Sequence, residues 1–193
     1  MELEDQGGQV TSGSHPEKRI FPESYMSGVT KIGVANYLID GMALSVFQDS
    51  GWYQVKNLDQ AGRLSFGRGM GCRVATHKCN DYGPGAEENG MFCSEPKQSF
   101  CTGNRRQVIA GCNIQDYKFI KIPPIFQYLT SPTAGGKIAI MDFCPRAEEF
   151  RDGDCTEPAN EYEKRQNFDA YGTLYHTESR CFMSSLTNIM FPS

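Results

Sequence analysis

Histidine and cysteine are the residue types of this chain that most often bind zinc. The 193 residues include three histidines, His15, His77 and His176. His15 follows a Gly/Ser-rich stretch, GGQVTSGS (7–14), and Met26 comes eleven residues later. A lone histidine is usually a solvated loop residue, and the chain contains no H-E-x-x-H motif. The residues alone therefore favour loop positions for all three histidines.

The eight cysteines indicate an oxidising compartment. Their spacing is irregular and contains no C-x-x-C pair, which argues against a zinc ribbon. An even count in a chain with 20 glycines and 10 prolines favours disulfides formed on the secretory route. The N-terminus, MELEDQGG, is acidic and polar and does not resemble a signal peptide. We therefore expect a segment of a longer secreted precursor. The cysteines are Cys72, Cys79, Cys93, Cys101, Cys112, Cys144, Cys155 and Cys181.

Charge and hydropathy exclude several classes of partner. The formal net charge is −4, so the chain has no electrostatic footprint for nucleic acid. No apolar run approaches the roughly 20 residues of a membrane helix. The acidic stretch RAEEFRDGDC (146–155) lacks the alternating ligands of a calcium loop, and a solvated turn is the favoured interpretation. No P-loop, dinucleotide-binding or G-x-S-x-G motif occurs.

The predicted elements are few and short. Residues 1–30 read as loop and turns, and 33–50 as a helix ended by Gly51. Leu38, Met42 and Val46 form an apolar row on this helix, which predicts core packing. In 117–130, Pro123-Pro124 restricts any strand to a short or edge one, and 135–145 reads as a strand leading into a cysteine-anchored turn. Without a linker between them, a cysteine-free part (1–70) and a cysteine-rich part (71–193) should pack together.

Several segments together resemble the C-terminal half of leishmanolysin-type metallopeptidases, the zinc proteases that include the invadolysins. The resemblance runs from about residue 2 to about 182, with the cysteines in the family order. Its ordered, coupled matches are more specific than any single motif. They are LEDQGG, GSHPEKRIFPESYMSG, ALSVFQDSGWYQVKNLDQAGRLSFGRGMGC, MFCSE, IPPIFQYLTSP, MDFCP and DGDCT.

The resemblance implies an α+β fold and a zinc site. Residues 1–70 would be the end of a metzincin catalytic domain, its lower subdomain with Met-turn and helix. Residues 71–193 would be a disulfide-rich, loop-rich mixed α/β C-terminal domain. His15 matches the third zinc-binding histidine, and Met26 matches the methionine of the Met-turn. The other two histidines and the general-base glutamate belong to an H-E-x-x-H helix that this chain lacks, so we expect this chain alone to be inactive.

The resemblance also implies a disulfide scheme. The family order suggests the pairs Cys79–Cys144, Cys93–Cys112 and Cys101–Cys181. Cys72 would then bond to a cysteine upstream of Met1, and Cys155 to one downstream of Ser193.

Two function classes follow from these features. The first is a zinc-dependent metalloendopeptidase with one Zn²⁺ per catalytic domain and protein or peptide substrates. It would be secreted or on the cell surface, with membrane association through segments outside this chain. The alternative is a non-catalytic cell-adhesion or binding module from a truncated leishmanolysin paralogue. An in-frame H-E-x-x-H upstream would favour the first class, and its absence the second.

Overall fold

The computed structural model describes residues 2–28, 39–87, 89–96, 99–101, 107–161 and 174–182. Over these residues the fold combines helices and antiparallel strands, as an α+β class predicts. The helices are α1 (Gly41–Asp49) and α2 (Arg73–Thr76). The strands are β1 (Ser99–Cys101), β2 (Gln107–Cys112), β3 (Ile114–Asp116), β4 (Ala134–Gly136) and β5 (Ala147–Asp154). Short 3-10 helices cover Gly8–Val10, Leu58–Gln60, Cys79–Asp81, Pro124–Phe126, Ala139–Met141 and Pro158–Glu161.

Helix α1 begins after an aspartate cap and ends at a left-handed glycine. The Asp40 side chain accepts a hydrogen bond from the Ala43 amide. Gly51, at φ 73°, donates its amide to the Gln48 carbonyl, as the predicted stop requires. The helix predicted over 33–50 is thus confirmed from Gly41 to Asp49, while 33–38 lies outside the described residues.

The prediction that an apolar row of α1 packs in the core is wrong for Val46, which is 44% exposed. Met42 is half-buried, and the buried side chain of α1 is the small Ala43. The reason is that the start of the helix pairs closely with another segment. The Gly41 amide donates to the Gly62 carbonyl, and the Gly62 amide donates to the Ile39 carbonyl. Small residues rather than a large apolar row form this contact.

Strands β1, β2 and β5 form an antiparallel sheet in the order β1-β2-β5. Ile109 of β2 pairs with Phe100 of β1 on one side and with Glu149 of β5 on the other. The prediction of a solvated turn over 146–155 is therefore wrong, because Ala147–Asp154 is a strand. The sheet gives β5 a partner on one side, and charged residues are common on such edge strands because they prevent further pairing. Register shifts in the β2–β5 pairing also remove the regular alternation that a sequence pattern could show.

Strands β3 and β4 form a second antiparallel pair, with Ile114 opposite Gly136. The strand predicted from residue 135 is confirmed only as far as Gly136. The 3-10 helix Ala139–Met141 replaces the rest of the predicted strand. Asp142 and Phe143 follow at φ 55°, and Cys144 then anchors the turn by a disulfide. No strand forms within 117–130, since β3 ends at Asp116 and the proline pair lies beside the 3-10 helix Pro124–Phe126.

One hydrophobic cluster joins the cysteine-free and cysteine-rich parts. Ile20, from the first part, packs in the same cluster as Val74 and Tyr82 from the second. This confirms that the two parts pack together. Within the described part of the chain, no helix has the length and apolar character needed to cross a membrane. The buried members of the cluster are Ile20, Val74, Cys79, Tyr82, Ala86, Met91, Phe92, Tyr128 and Cys144.

Three disulfides link the cysteine-rich part. They are Cys79–Cys144, Cys93–Cys112 and Cys101–Cys181, the same pairs that the family resemblance implies. Cys79–Cys144 belongs to the main hydrophobic cluster, and Cys93–Cys112 packs in a smaller one beside Ala147 and Ile114. Cys72 is exposed and Cys155 is buried, and both have free thiols.

Candidate functional site

The segment that carries His15 folds back on the N-terminal residues. Leu3 and Pro16 form an antiparallel bridge. The Glu4 amide donates to the His15 carbonyl at 2.9 Å, and the Glu17 amide donates to the Glu2 carbonyl at 3.1 Å. The Glu4 side chain, 1% exposed, accepts the amides of Gln6 and Lys18. Hydrogen bonds to Glu2 and Glu4 therefore fix the backbone at His15 and just after it.

The imidazole of His15 is half-buried and contacts the protein through Nδ1. This nitrogen lies 2.9 Å from Ser14 Oγ and 3.4 Å from the Thr11 carbonyl oxygen. Among the described residues, Nε2 has no hydrogen-bond partner. A metal-binding histidine commonly makes such a contact through one ring nitrogen and binds the ion through the other. The ring is thus suited to act as an Nε2 ligand.

The sequence ESYMSG (23–28) forms the tight turn that carries Met26. The Met26 amide donates to Ser24 Oγ, and Ser27 donates both its amide and its hydroxyl to the Ser24 carbonyl. Ser24 is fully buried, Ser27 is 5% exposed and Met26 is half-buried. The turn is therefore held by its two serines, with the methionine at its tip.

The Met26 turn packs against the loop that leads to His15. A Cβ atom added at Gly28 would lie 2.8 Å from Thr11 Cγ2 and 3.3 Å from Ile140 Cδ1, too close for any side chain without rearrangement. Lys18 makes a second connection, because its Nζ donates to the Pro22 carbonyl and to Ser27 Oγ. The structure thus brings the His15 segment and the Met26 turn into one hydrogen-bonded unit.

Two side chains attach this turn to later parts of the chain. Ser24 Oγ donates to Asp40 Oδ2 at 2.6 Å, and Asp40 Oδ1 caps helix α1. Glu23 accepts hydrogen bonds from the Ser65 amide, the Ser65 hydroxyl and the Phe66 amide. The start of α1 and the loop at 65–66 are therefore both fixed to the turn.

Arg19 connects the site to the cysteine-rich part. The guanidinium is buried and donates from Nε to Asp142 Oδ2 at 2.9 Å. Its Nη1 donates to the Val74 carbonyl and the Tyr82 hydroxyl. A planar guanidinium with several donors can satisfy these acceptors at once, which an ammonium group could not do in the same geometry.

Two carboxyl groups near Arg19, those of Glu17 and Asp142, have raised pKa values, which favours their protonated forms. Burial raises the pKa of Glu17 to about 8, although the hydrogen bond from the Arg19 amide acts in the opposite direction. Burial also raises the pKa of Asp142 to about 6, while its hydrogen bond to Arg19 lowers it. Asp142 Oδ1 is buried and accepts no hydrogen bond from the part of the chain that the structure describes.

The predicted ligand His15 belongs to no group of three or more candidate metal ligands among the described residues. The one such group there, with ligand atoms within 4.8 Å of one another, is Glu4, Asp5 and Glu17. His77 is exposed after α2, and His176 is exposed with Nδ1 accepting the Glu178 amide, so the loop positions predicted for both are confirmed. Within the described residues, the three histidines therefore do not form a common metal-binding group.

Several residues that build the site were not found from the sequence. Glu4, Lys18, Arg19 and Asp40 are charged residues in or next to loops, where such residues are normally solvated. Asp40 carried a usable signal, since an aspartate before an apolar helix is a typical N-cap. Arg19 is buried by contacts with residues distant in sequence, such as Asp142. The side chains of Glu4 and Lys18 bond to groups at most 14 residues away, within loops that have no regular sequence pattern.

Comparison with known proteins identifies the family. The family model described as leishmanolysin matches residues 1–190. Leishmanolysin of Leishmania major is 31% identical over 161 residues, covering 83% of this chain and 25% of that protein. A leishmanolysin homolog of Crithidia fasciculata is 30% identical over 192 residues, covering 97% of this chain and 27% of that protein. A leishmanolysin-like peptidase of Drosophila melanogaster is 33% identical over 166 residues, covering 77% of this chain and 23% of that protein.

These matches cover nearly all of the chain but only part of each relative. The chain spans about a quarter of the length of the relatives it matches. Because the family match includes the His15 segment, the Met26 turn and all eight cysteines, it agrees with the resemblance that those residues carry. The chain belongs to the leishmanolysin family of metallopeptidases.

Proposed function

We propose that this chain is part of a zinc metalloendopeptidase, in which His15 is the third zinc-binding histidine and Met26 forms the apolar floor below the metal. Leishmanolysins are zinc metallopeptidases, so the family supports the reaction class. The observation that carries the proposal is the single unit formed by the His15 segment and the Met26 turn. Lys18 and the contact of Gly28 with Thr11 connect its two parts.

His15 fits a zinc ligand in both its chemistry and its surroundings. Neutral imidazole is a preferred zinc ligand, and its Nδ1 contact with Ser14 or Thr11 would leave Nε2 for the metal. When bound, zinc would polarise the scissile carbonyl and lower the pKa of a water molecule. The chain's own contribution is to hold the imidazole and the methionine in fixed positions through the Glu4 and Ser24 contacts.

The chain alone should have no proteolytic activity. It lacks H-E-x-x-H, and catalytic zinc sites commonly use three protein ligands with a fourth position open to water. The substrates of the complete enzyme would be proteins or peptides. Three disulfides favour a secreted or cell-surface location.

A binding or adhesion module is the second function. It is favoured because His15 belongs to no group of three or more candidate ligands in the described residues. In this case Glu4 and Lys18 would stabilise a fold that has lost its metal, and proteolysis would be absent under all conditions.

Peptide mapping of the native protein by mass spectrometry separates the two functions. Peptides that contain H-E-x-x-H in the same polypeptide, upstream of Met1, are the expected result for the enzyme. A native polypeptide that contains no such motif would contradict the enzyme proposal and leave the binding module. A synthetic peptide of residues 7–28 serves as the chromatographic standard that identifies the His15 region in the peptide map.

A further inference from the structure

We propose that Lys18 is a positioning residue for this site: its buried ammonium group holds the turn that carries Met26 against the segment that carries His15. The inference rests on the proposed zinc function, because that function assigns the roles of His15 and Met26. The contacts that carry it belong to this chain and do not depend on a bound metal.

Lys18 contacts both parts of the site. Its backbone amide donates to Glu4 Oε2 at 3.1 Å, and the amide of the same glutamate donates to the His15 carbonyl. Its Nζ donates to the Pro22 carbonyl at 2.9 Å and to Ser27 Oγ at 2.7 Å. Pro22 and Ser27 lie on either side of Met26. The backbone of Lys18 is therefore bonded to the segment that carries His15, and its ammonium group connects the two ends of the Met26 turn.

The burial of Lys18 makes this connection specific. The residue is 8% exposed, and a buried ammonium group is costly unless its donors are satisfied. An apolar side chain of the same length would fill the space but would leave the Pro22 carbonyl and the Ser27 hydroxyl without this donor. Unsatisfied buried acceptors are themselves unfavourable, so the turn would have to move or open.

Ser27 transmits the contact through the turn. Its hydroxyl accepts from Lys18 and donates to the Ser24 carbonyl at 2.8 Å, and Ser24 in turn donates to Asp40, the cap of α1. A change at Lys18 should therefore alter Met26, which lies between these two serines, more than any methionine in the cysteine-rich part.

The test is methyl NMR of the metal-free 193-residue chain labelled with ¹³C at its methionine methyl groups. We compare wild type with Lys18→Leu, which adds no methionine signal and keeps an apolar stem. In Lys18→Leu we expect a shifted Met26 methyl resonance, an unchanged Met91 resonance, and amide hydrogen exchange at 24–27 about tenfold faster, as loss of roughly one hydrogen bond implies. Met91, 3% exposed in the main hydrophobic cluster, reports on the core of the cysteine-rich part.

The matched control is Lys78→Leu. Lys78 also donates its Nζ to a proline carbonyl, that of Pro124 at 3.3 Å, but it is exposed. Its variant should leave the Met26 resonance and the exchange rates at 24–27 at wild-type values. Equal effects of the two variants on Met26 would overturn the proposal, as would an unshifted Met26 in Lys18→Leu with only the overall stability reduced.

A second variant keeps the proposal testable if Lys18→Leu does not fold. Ser27→Ala removes the acceptor and keeps the lysine, and it should shift Met26 in the same way. Where both single variants fold, the double variant should add less than the sum of the two effects, because both remove one connection. Fully additive effects of the two substitutions on the Met26 resonance would contradict the proposal. Since no zinc is present, these outcomes are independent of whether the complete protein binds zinc.

Discussion

At the residue scale, buried polar side chains rather than apolar ones organise the region around His15 and Met26. Glu4, Glu17, Ser24 and Asp40 are each at most 1% exposed. Each of them accepts or donates hydrogen bonds to backbone or side-chain groups within this region, so the burial of each is compensated. Such a network fixes atom positions more closely than an apolar contact would, which suits the proposed role of His15 as a zinc ligand.

The carboxyl of Asp142 predicts a pH dependence of stability. Its pKa is raised to about 6 in the folded protein, so the folded state binds a proton at a higher pH than the unfolded chain does. The free energy of unfolding contributed by this group is therefore greatest at low pH and falls as pH rises through about 6. Arg19 opposes the shift, and Asp5 and Glu4 increase it.

The variant Asp142→Asn should weaken this dependence. Asparagine tolerates the left-handed φ of 55° at this position and does not titrate. Urea unfolding at about pH 4.5 and about pH 6.5 should show a smaller loss of stability with rising pH in the variant than in wild type. Glu17 is present in both proteins, and loss of the Asp142 charge, which raises the pKa of Glu17, reduces the dependence in the same direction. Identical differences in the two proteins would contradict the assignment.

Gly28 predicts a steric test of the contact between the Met26 turn and the His15 loop. In Gly28→Ala the new methyl group would meet Thr11 Cγ2, and we expect a loss of about 1–3 kcal/mol in the free energy of unfolding. The double variant Gly28→Ala/Thr11→Ser should recover part of this loss. Serine removes Cγ2 and retains the hydroxyl that donates to the Gln6 carbonyl. Chemical denaturation measures both, and absence of any recovery would mean that the contact is not the cause.

At the scale of elements, the sequence predicted the helix better than the strands. The described part of the helix was found because an apolar row and the stop at Gly51 indicate it, whereas its start at the Asp40 cap was not predicted. Strand β5 was missed because its residues are mostly charged and its register with β2 shifts. The strand from residue 135 was predicted too long, since nothing in the sequence indicates the 3-10 helix Ala139–Met141 that replaces the rest of it. His15 and Met26 were found only through the coupled matches to the family.

Helix α1 predicts a large difference between two aspartate substitutions. Asp40→Ala removes the cap and leaves the buried Ser24 hydroxyl without its acceptor, so we expect a loss of about 1–2 kcal/mol or more. Asp49→Ala is the matched control: this exposed residue lies at the helix C-terminus, where a negative charge is unfavourable, and its replacement should be neutral or slightly stabilising. Urea unfolding followed by circular dichroism gives both values. Similar losses would argue against the cap.

At the scale of the whole molecule, disulfides and one shared cluster hold the described parts together. Ile20 packs with residues from 74 to 144, and Arg19 reaches Asp142 across the chain. The family order of the cysteines implied all three disulfide pairs, whereas the long-range polar contacts had no sequence signal. A buried guanidinium is recognised only when the acceptors around it are known.

The position of Cys79–Cys144 predicts that it is the more important of two disulfides. It joins residues 65 apart inside the main cluster, while Cys93–Cys112 joins residues 19 apart. Loop closure alone predicts a difference of about 1 kcal/mol in favour of the longer loop. We expect Cys79→Ala/Cys144→Ala to lose more stability in urea than Cys93→Ala/Cys112→Ala. The reverse order would show that loop length and core position do not determine the effect.

The central claim is that His15 binds zinc in the complete protein, and zinc content measured by mass spectrometry tests it most directly. The complete protein is produced from its full coding sequence in a secretory host and dialysed against metal-free buffer. We predict about one zinc per chain in wild type and in His176→Ala, the matched exposed histidine, and a loss of tightly bound zinc in His15→Ala. A His15→Ala protein that retains a full equivalent of zinc would contradict the account.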